Sequence, residues 1–510
     1  MSLLTAVTGV TALAVVVGVV VLLARYLRSY LHFRKLELAI PGPPSLFLLG
    51  NALSFCVVTP DTVMRTLLAV IGGRRQITRF SLFNNLTVWL QDPEEVEEMV
   101  RSKKFADKPS FIYSLLHIIA KKGLIQLNGA EWKAHRKWLQ PGFNVNVLHR
   151  FVDIFSEEGR AFVERVEADR DVDVITNLKK ASVRNFLRTS MSSDTSEYED
   201  EAMDCCAFLE LFLRSINNRS FNPILWSDRV FAWTPLGKRV HKDKQVIDKL
   251  CNRFIEKKRA EIGSFKNDSD FEQARKTLMD IMLDPPTGSQ ELTEGNAILD
   301  EFITFFGANV ETTVSALGWT LKVLSLLPDV QQRVHAELDS VFGDSDRSVS
   351  VEDLAELQYL NRVIKEVMRM FPAIPFIGRH CYEETKLCGH TIPAGTPVFI
   401  SIYGVHRDPR HWDRPEQFDP DRFLPERSKD RHPCAYMPFS MGPRKCIGDT
   451  YAVMNMTTFL ATALRDLEVL PVGDHKDLQS LTDNMTFDLS SHLVGGTRVR
   501  FRRRGAKAAH

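Results

Sequence analysis

The run LLTAVTGVTALAVVVGVVVLLA, Leu3 to Ala24, holds 22 residues without a single charge at the start of a 510-residue chain. As a helix it reaches about 33 Å, enough to cross the roughly 30 Å hydrocarbon core of a bilayer. Nothing basic precedes the run, which argues against a cleaved signal peptide. Arg25, Arg28, Arg34 and Lys35 follow it, and basic residues flanking a span stay on the cytoplasmic side. Next comes IPGPPS, Ile40 to Ser45, where Pro41, Pro43 and Pro44 forbid helix and give a stiff connector. The expected organisation is an anchor over 1–24, a basic and proline-rich linker over 25–45, one large cytosolic domain over 46–503 and a basic tail over 504–510.

Charge is balanced, with Lys+Arg 65 against Asp+Glu 64, so no bulk charge points to nucleic acid. The cysteines at 56, 205, 206, 251, 381, 388, 434 and 446 form no CxxC pair, and two are adjacent. That usage fits a reducing compartment rather than a disulfide framework. Helical periodicity dominates from about Ala130, over Phe151–Val166, Asp204–Ile216, Val240–Arg259, Gly295–Leu327, Val330–Phe342 and Leu357–Phe371. Leu86–Asp92, Val398–Tyr403 and Thr497–Arg503 read as strands. Between 404 and 438 the chain is rich in Pro, Asp and Arg with little periodicity, and irregular stretches of that length are usually functional. The fold class is mainly α with a smaller β region.

One cysteine stands apart. FSMGPRKCIGD, Phe439 to Asp449, sets Cys446 among two glycines, a proline and two cations. A thiolate is an electron-rich ligand that suits haem iron, and cations with backbone N–H groups keep it ionised. Gly442 and Gly448 allow tight turns and close approach to a flat macrocycle. The run resembles the F-x-x-G-x-R-x-C-x-G signature of the cytochrome P450 superfamily, with Phe439, Gly442, Arg444, Cys446 and Gly448 in register. That resemblance implies haem b (iron protoporphyrin IX) between a long central helix and the cysteine loop. Cys446 would be its axial thiolate, Arg444 a propionate contact and Phe439 a shield beside the sulfur.

Distant matches strengthen the likeness. KEVMR supplies Glu366 and Arg369, three apart and so on one helical face. FDPDRF supplies Arg422, which in the family completes a buried triad with that pair behind the haem. WKAHR resembles the family's W-x-x-x-R helix, which implies propionate contacts for Trp132 and Arg136. Arg379 in PFIGRH stands where many relatives place a further propionate-binding arginine. FFGANVETT, Phe305 to Thr313, resembles the family's A/G-G-x-D/E-T-T/S pattern with Asn309 in place of the glycine. The resemblance makes Glu311 the acid that gates protons from solvent and Thr312 the hydroxyl that orders the proton at the oxygen site. Four longer stretches look most similar to family 4, the fatty-acid ω-hydroxylase and insect/arthropod group. They are AFLELFLRSINNRSFNPILWSD, RMFPAIPFIGRH, FDPDRFLPE and RHPCAYMPFSMGPRKCIGD. Many family-4 enzymes esterify a haem methyl through a glutamate just before the helix glycine. Ala308 holds that position here, which implies haem bound non-covalently apart from the Cys446–iron bond.

The implied activity is a membrane-anchored monooxygenase acting on a hydrophobic substrate, a fatty acid, another lipid or a xenobiotic. Electrons would come from NADPH through NADPH–cytochrome P450 reductase, with cytochrome b5 as a second donor. Apolar pocket walls are expected from Phe111–Ile119, Phe208–Ile216 and Ala373–Ile377. A haem-thiolate isomerase or dehydratase of lipid hydroperoxides is the runner-up. Such enzymes often lose the acid–alcohol pair, so Glu311-Thr312 argues against it while Asn309 keeps it open. A non-catalytic haem-binding or sensor protein is the third reading. Lys133, Lys137, Arg427, Lys429, Arg431 and Lys445 are expected to form a basic docking face for the reductase. The topology places the catalytic domain on the cytosolic side of the endoplasmic reticulum membrane, anchored by one span. The sequons at Asn85, Asn218, Asn267, Asn455 and Asn484 should therefore stay unglycosylated in microsomes. A mobility shift on glycosidase treatment would contradict that orientation.

Overall fold

The computed structural model describes residues 2–72, 77–83, 85–191, 196–264, 277–285, 289–293 and 296–505. Helix α1 (Ser2–Ala39) does not stop where charge begins. No proline or glycine interrupts it between Val19 and Ile40, so the basic segment simply continues the helix. Residues 25–39 are helical, and only the proline-bearing stretch after them is extended. Leu13 to Leu23 point outward on every side, as a helix in lipid does.

Among the described residues, nine further long helices carry the domain: α2 (Gly129–Leu139), α3 (Val152–Arg165), α4 (Val174–Met191), α5 (Glu199–Phe221), α6 (Pro235–Gly263), α7 (Ala297–Leu326), α8 (Pro328–Phe342), α9 (Gln358–Met370) and α10 (Asp449–Asp466). Their boundaries obey local chemistry. Thr234 caps α6 through the Gly237 amide with Pro235 in the first turn. Gly343, at φ 56°, ends α8. Of the expected run Gly295–Leu327, Gly295 lies outside the described residues, α7 covers Ala297–Leu326, and Asn296 and Leu327 flank it. α7 is apolar nearly all round and packs against α4, α9 and α10, which makes it the axis of the main core.

The strands are short: β1 (Thr78–Leu82), β2 (Asn85–Leu90), β3 (Asp171–Asp173), β4 (Phe376–His380), β5 (Thr385–Leu387), β6 (His390–Ile392), β7 (Pro397–Ser401), β8 (Leu467–Pro471), β9 (Met485–Phe487), β10 (Ser491–Leu493) and β11 (Arg498–Arg503). They form sheets of order β1-β2-β7-β4, β3-β11-β8, β10-β9 and β5-β6, with β2 parallel to β7. The strand expected to reach Tyr403 stops at Ser401, whose hydroxyl accepts from the Gly404 amide and starts a helical turn.

The irregular stretch 404–438 is fastened to α9 by charge. Glu366 and Arg369 are 0% exposed. Arg369 donates to both Glu366 oxygens at 2.7 and 2.9 Å, and Arg422 donates to Oε1 at 3.3 Å. The remaining donors of both arginines go to carbonyls of His406, Asp413, Arg414 and Gln417. The His406 ring continues the link, since its Nε2 accepts from the Met437 amide at 2.9 Å at the entry to the cysteine loop. Among the sequons, Asn455 is buried and Asn267 lies outside the described residues, so Asn85, Asn218 and Asn484 carry the topology test. Glu366→Ala should leave two buried guanidiniums without a counter-charge and cost about 3–5 kcal/mol. Urea unfolding checks this, and an unmoved midpoint would show that the triad is not a brace.

Candidate active site

The turn that presents Cys446 is set by backbone geometry. Ser440 and Gly442 have φ of 63° and 70°, a 3-10 turn spans Gly442–Arg444, and the Cys446 amide donates to Phe439 O at 2.9 Å. A Cβ at Gly442 would come within 2.5 Å of Val100 Cγ1, so glycine is required by space as well as by φ. α10 begins three residues after Cys446 and turns its positive end toward the sulfur. Burial pushes the Cys446 thiol up, opposed by the Gly448 amide and by the charges of Arg136 and Lys108. Cys446 keeps an accessible face and lines a cavity of about 310 Å3.

α7 and the cysteine loop meet at this cavity. Ala308, Asn309, Thr312 and Thr313 line it together with Phe439, Cys446 and Gly448. Thr312 donates its hydroxyl to Ala308 O at 2.7 Å, one turn back. Asn309 turns its amide toward Ser182 on α4, 3.4 Å from the hydroxyl, so it braces α7 outward. Glu311 is absent from the lining and faces the other way. Its Oε2 accepts from Ser490 at 3.5 Å, its Oε1 has no hydrogen-bond partner among the described residues, and burial holds its pKa up against the nearby Lys179 charge. Tyr113, Ala373, Ile374, Phe376 and Ile377 line the cavity as expected segments, whereas Phe208, Leu209, Phe212, Leu213 and Ile216 are buried in the main core.

The cations sort differently from expectation. Arg444 spends four of its five donors on Ala106 O, Leu127 O, Asp107 and Asn128, and it stacks 3.9 Å over Trp132. One N–H remains for the cavity that Arg444 lines. Arg379 is bonded to Gly378 O and to Ser440. Trp132 and Arg136 do not line the cavity. They line a surface groove of about 610 Å3, where Arg136 donates to Lys445 O at 2.9 Å and so braces the loop from outside. Lys108 was missed by the sequence reading. It lines the cavity, its ammonium lies 5.0 Å from the Tyr113 ring, and it has no acceptor among the described residues. Burial, with Arg379 and Arg444 nearby, drives its pKa well below the usual lysine range. The only signal in sequence was a lone cation in ADKPS ahead of an apolar run.

This wall fits a flat, carboxylate-bearing macrocycle. A half-buried ammonium without an acceptor among the described residues, as at Lys108, is costly unless an anion meets it. A Cβ at Gly448 would meet only Phe143 Cε1, at 3.6 Å, so the space beside it belongs to the cavity. Gly442→Ala should cost about 1–3 kcal/mol from backbone strain alone. Thermal unfolding checks it, and an unchanged melting temperature would show that the loop relaxes.

The cytochrome P450 family model matches residues 40–491. Probable cytochrome P450 4aa1 of Drosophila melanogaster is 30% identical over 94% of this chain and 92% of its own length. Cytochrome P450 4c21 of Blattella germanica is 30% identical over 92% of this chain and 95% of its own length. Cytochrome P450 4V2 of Homo sapiens is 32% identical over 74% of each chain. The relatives' names are those of family 4, the group that the sequence motifs resemble. With the family come its cofactor, haem b ligated by a cysteine thiolate, and its reaction class, monooxygenation. The cavity between α7 and the Cys446 loop thus lies in a chain that belongs to the cytochrome P450 family.

Proposed function

We propose that the chain inserts one oxygen atom from O2 into a fatty acid, another lipid or an apolar xenobiotic at the Cys446 cavity. Electrons come from NADPH through NADPH–cytochrome P450 reductase, with cytochrome b5 as a second donor. The reaction occurs on the cytosolic face of the endoplasmic reticulum membrane, to which α1 anchors the chain by one span. The observation that carries this reading is the single cavity lined by Cys446 and by Thr312.

Haem b, when bound, supplies a redox iron whose thiolate ligand favours O–O cleavage. The chain's residues do the rest. Cys446 is the ligand, and Phe439 keeps water from its sulfur. Lys108, Arg379 and the remaining N–H of Arg444 would meet the propionates, while Trp132 and Arg136 hold Arg444 and the loop in place. Ala308 offers no carboxylate, so haem is held without an ester link. Thr312 orders the proton on the α7 side of the cavity. Glu311 faces Ser490 and Lys179, so its carboxyl must swing from that side to carry protons inward.

The cations expected to form the docking face differ in their partners. Lys133 and Lys137 are exposed in the groove beside the loop, and Lys429 is exposed too. Arg427 pairs with Asp419, Lys445 with Asp449, and Arg431 turns inward over Trp412. Lys133→Glu with Lys137→Glu should lower reductase-driven turnover and its salt sensitivity while peroxide-driven turnover stays put. A fall in both rates would contradict docking at this groove. Thr312→Ala should leave haem binding and melting temperature unchanged while product formed per NADPH falls several-fold and peroxide rises. Unchanged coupling would remove Thr312 from the proton path.

A further inference from the structure

α1 does not hang loosely from the domain. Past the span, Tyr30, Phe33, Arg34, Glu37 and Ile40 recur at helical spacing and turn inward, while Arg28, Leu31, Lys35 and Leu38 stay exposed. Phe33 and Ile40 pack in the cluster that includes β2 and β7. Glu37 is 1% exposed, the hallmark of a carboxylate that is held. Its side chain accepts from Ser81 on β1 and from Arg34 at 2.6 Å, with Arg79 Nη1 3.9 Å away. Arg79 Nε also donates to Glu37 O at 2.8 Å, and the Arg79 amide to Pro41 O at 2.8 Å. Arg34 reaches Ser45, and His390 meets Ala39 O. A Cβ at Gly42 would sit 2.4 Å from Arg79 O, so the connector runs flush against β1.

A second feature lies beside this joint. Leu46, Phe47, Leu48 and Leu49 form a ridge that is largely exposed, with Leu53 also exposed beyond it. Phe47 packs edge-on against Tyr30 at 5.6 Å, and Tyr26 stacks on Tyr30. Tyr30 lies six residues past Ala24, about 9 Å along the helix, which is headgroup depth where tyrosines collect.

We propose that α1 is a rigid strut latched to the domain by Glu37, and that the latch holds the Leu46–Leu49 ridge in the bilayer interface. The inference rests on the reading of Leu3–Ala24 as a bilayer span and adds a fixed domain height and tilt to it. A buried carboxylate shared by Ser81, Arg34 and Arg79 resists opening, because undocking the helix strands charge on both sides. The apolar ridge gains by staying in lipid.

The test uses the full-length protein in phosphatidylcholine–phosphatidylserine vesicles carrying a dansyl lipid. Hydrogen exchange over residues 30–40 should be as slow as in β1, and Glu37→Ala should speed it by about tenfold or more. Tryptophan-to-dansyl energy transfer should fall in the same variant as the ridge lifts. Arg34→Ala removes one partner from the helix side and should act in the same direction, which covers misfolding of Glu37→Ala. Wild-type exchange over 30–40 as fast as in an exposed loop would overturn the latch, as would unchanged exchange in both variants. Unchanged energy transfer despite faster exchange would overturn the ridge's place in lipid. Release of the wild type by an alkaline wash would instead overturn the span itself.

Discussion

A single buried carboxylate, Glu366, holds the part of the molecule that presents the cysteine. It accepts from Arg369, Arg422 and the Asp419 amide at once, so α9 and the irregular stretch after β7 close on one carboxylate. The arginines pass the constraint on through backbone carbonyls, and His406 relays it to the Met437 amide. From there the chain enters the turn with positive φ at Ser440 and Gly442 and reaches Cys446. A buried ion pair is weak support for stability in general, because desolvation offsets much of the attraction. Its use here is to define position: a long loop without regular structure gets one geometry, and so does the sulfur at its end.

The cavity is chemically lopsided in a way that suits its task. Its walls are mostly apolar, yet Lys108 and Arg444 reach it with Arg379 close by, and Lys108 has no acceptor among the described residues. Such an arrangement is unfavourable in an empty protein and favourable around a dianionic cofactor. The α7 side carries hydroxyls instead of charge, and the one acid in that stretch, Glu311, faces away toward Ser490. Charge is thus gathered on the loop side of the cavity, while the α7 side is lined by neutral groups.

Much of this was legible in the sequence because it rests on local pattern. Helices such as Val152–Arg165 and Pro328–Phe342 follow from apolar periodicity, the second with Gly343 to end it, and the loop around Cys446 from glycines at fixed offsets. What escaped depends on three-dimensional partners. Residues 25–39 carry no periodicity strong enough to mark a docked helix, and the inward face of Tyr30, Phe33, Arg34 and Glu37 shows only against β1. Arg136 carries the right residue type at the right spacing but turns to Lys445 O, since the cavity side is taken by Arg444 stacked on Trp132. Lys108 was invisible because no spacing marks a lone lysine as buried.

The account's central claim is that Cys446 presents a thiolate to haem iron inside this cavity. The absorption spectrum of the reduced, carbon-monoxide-bound protein tests it most directly. The purified full-length chain should show the red-shifted band of thiolate-ligated haem, and Cys446→Ser should lose it, because an alkoxide is far harder to form than a thiolate. A wild-type spectrum without that band, or a Cys446→Ser protein that keeps it, would contradict the account.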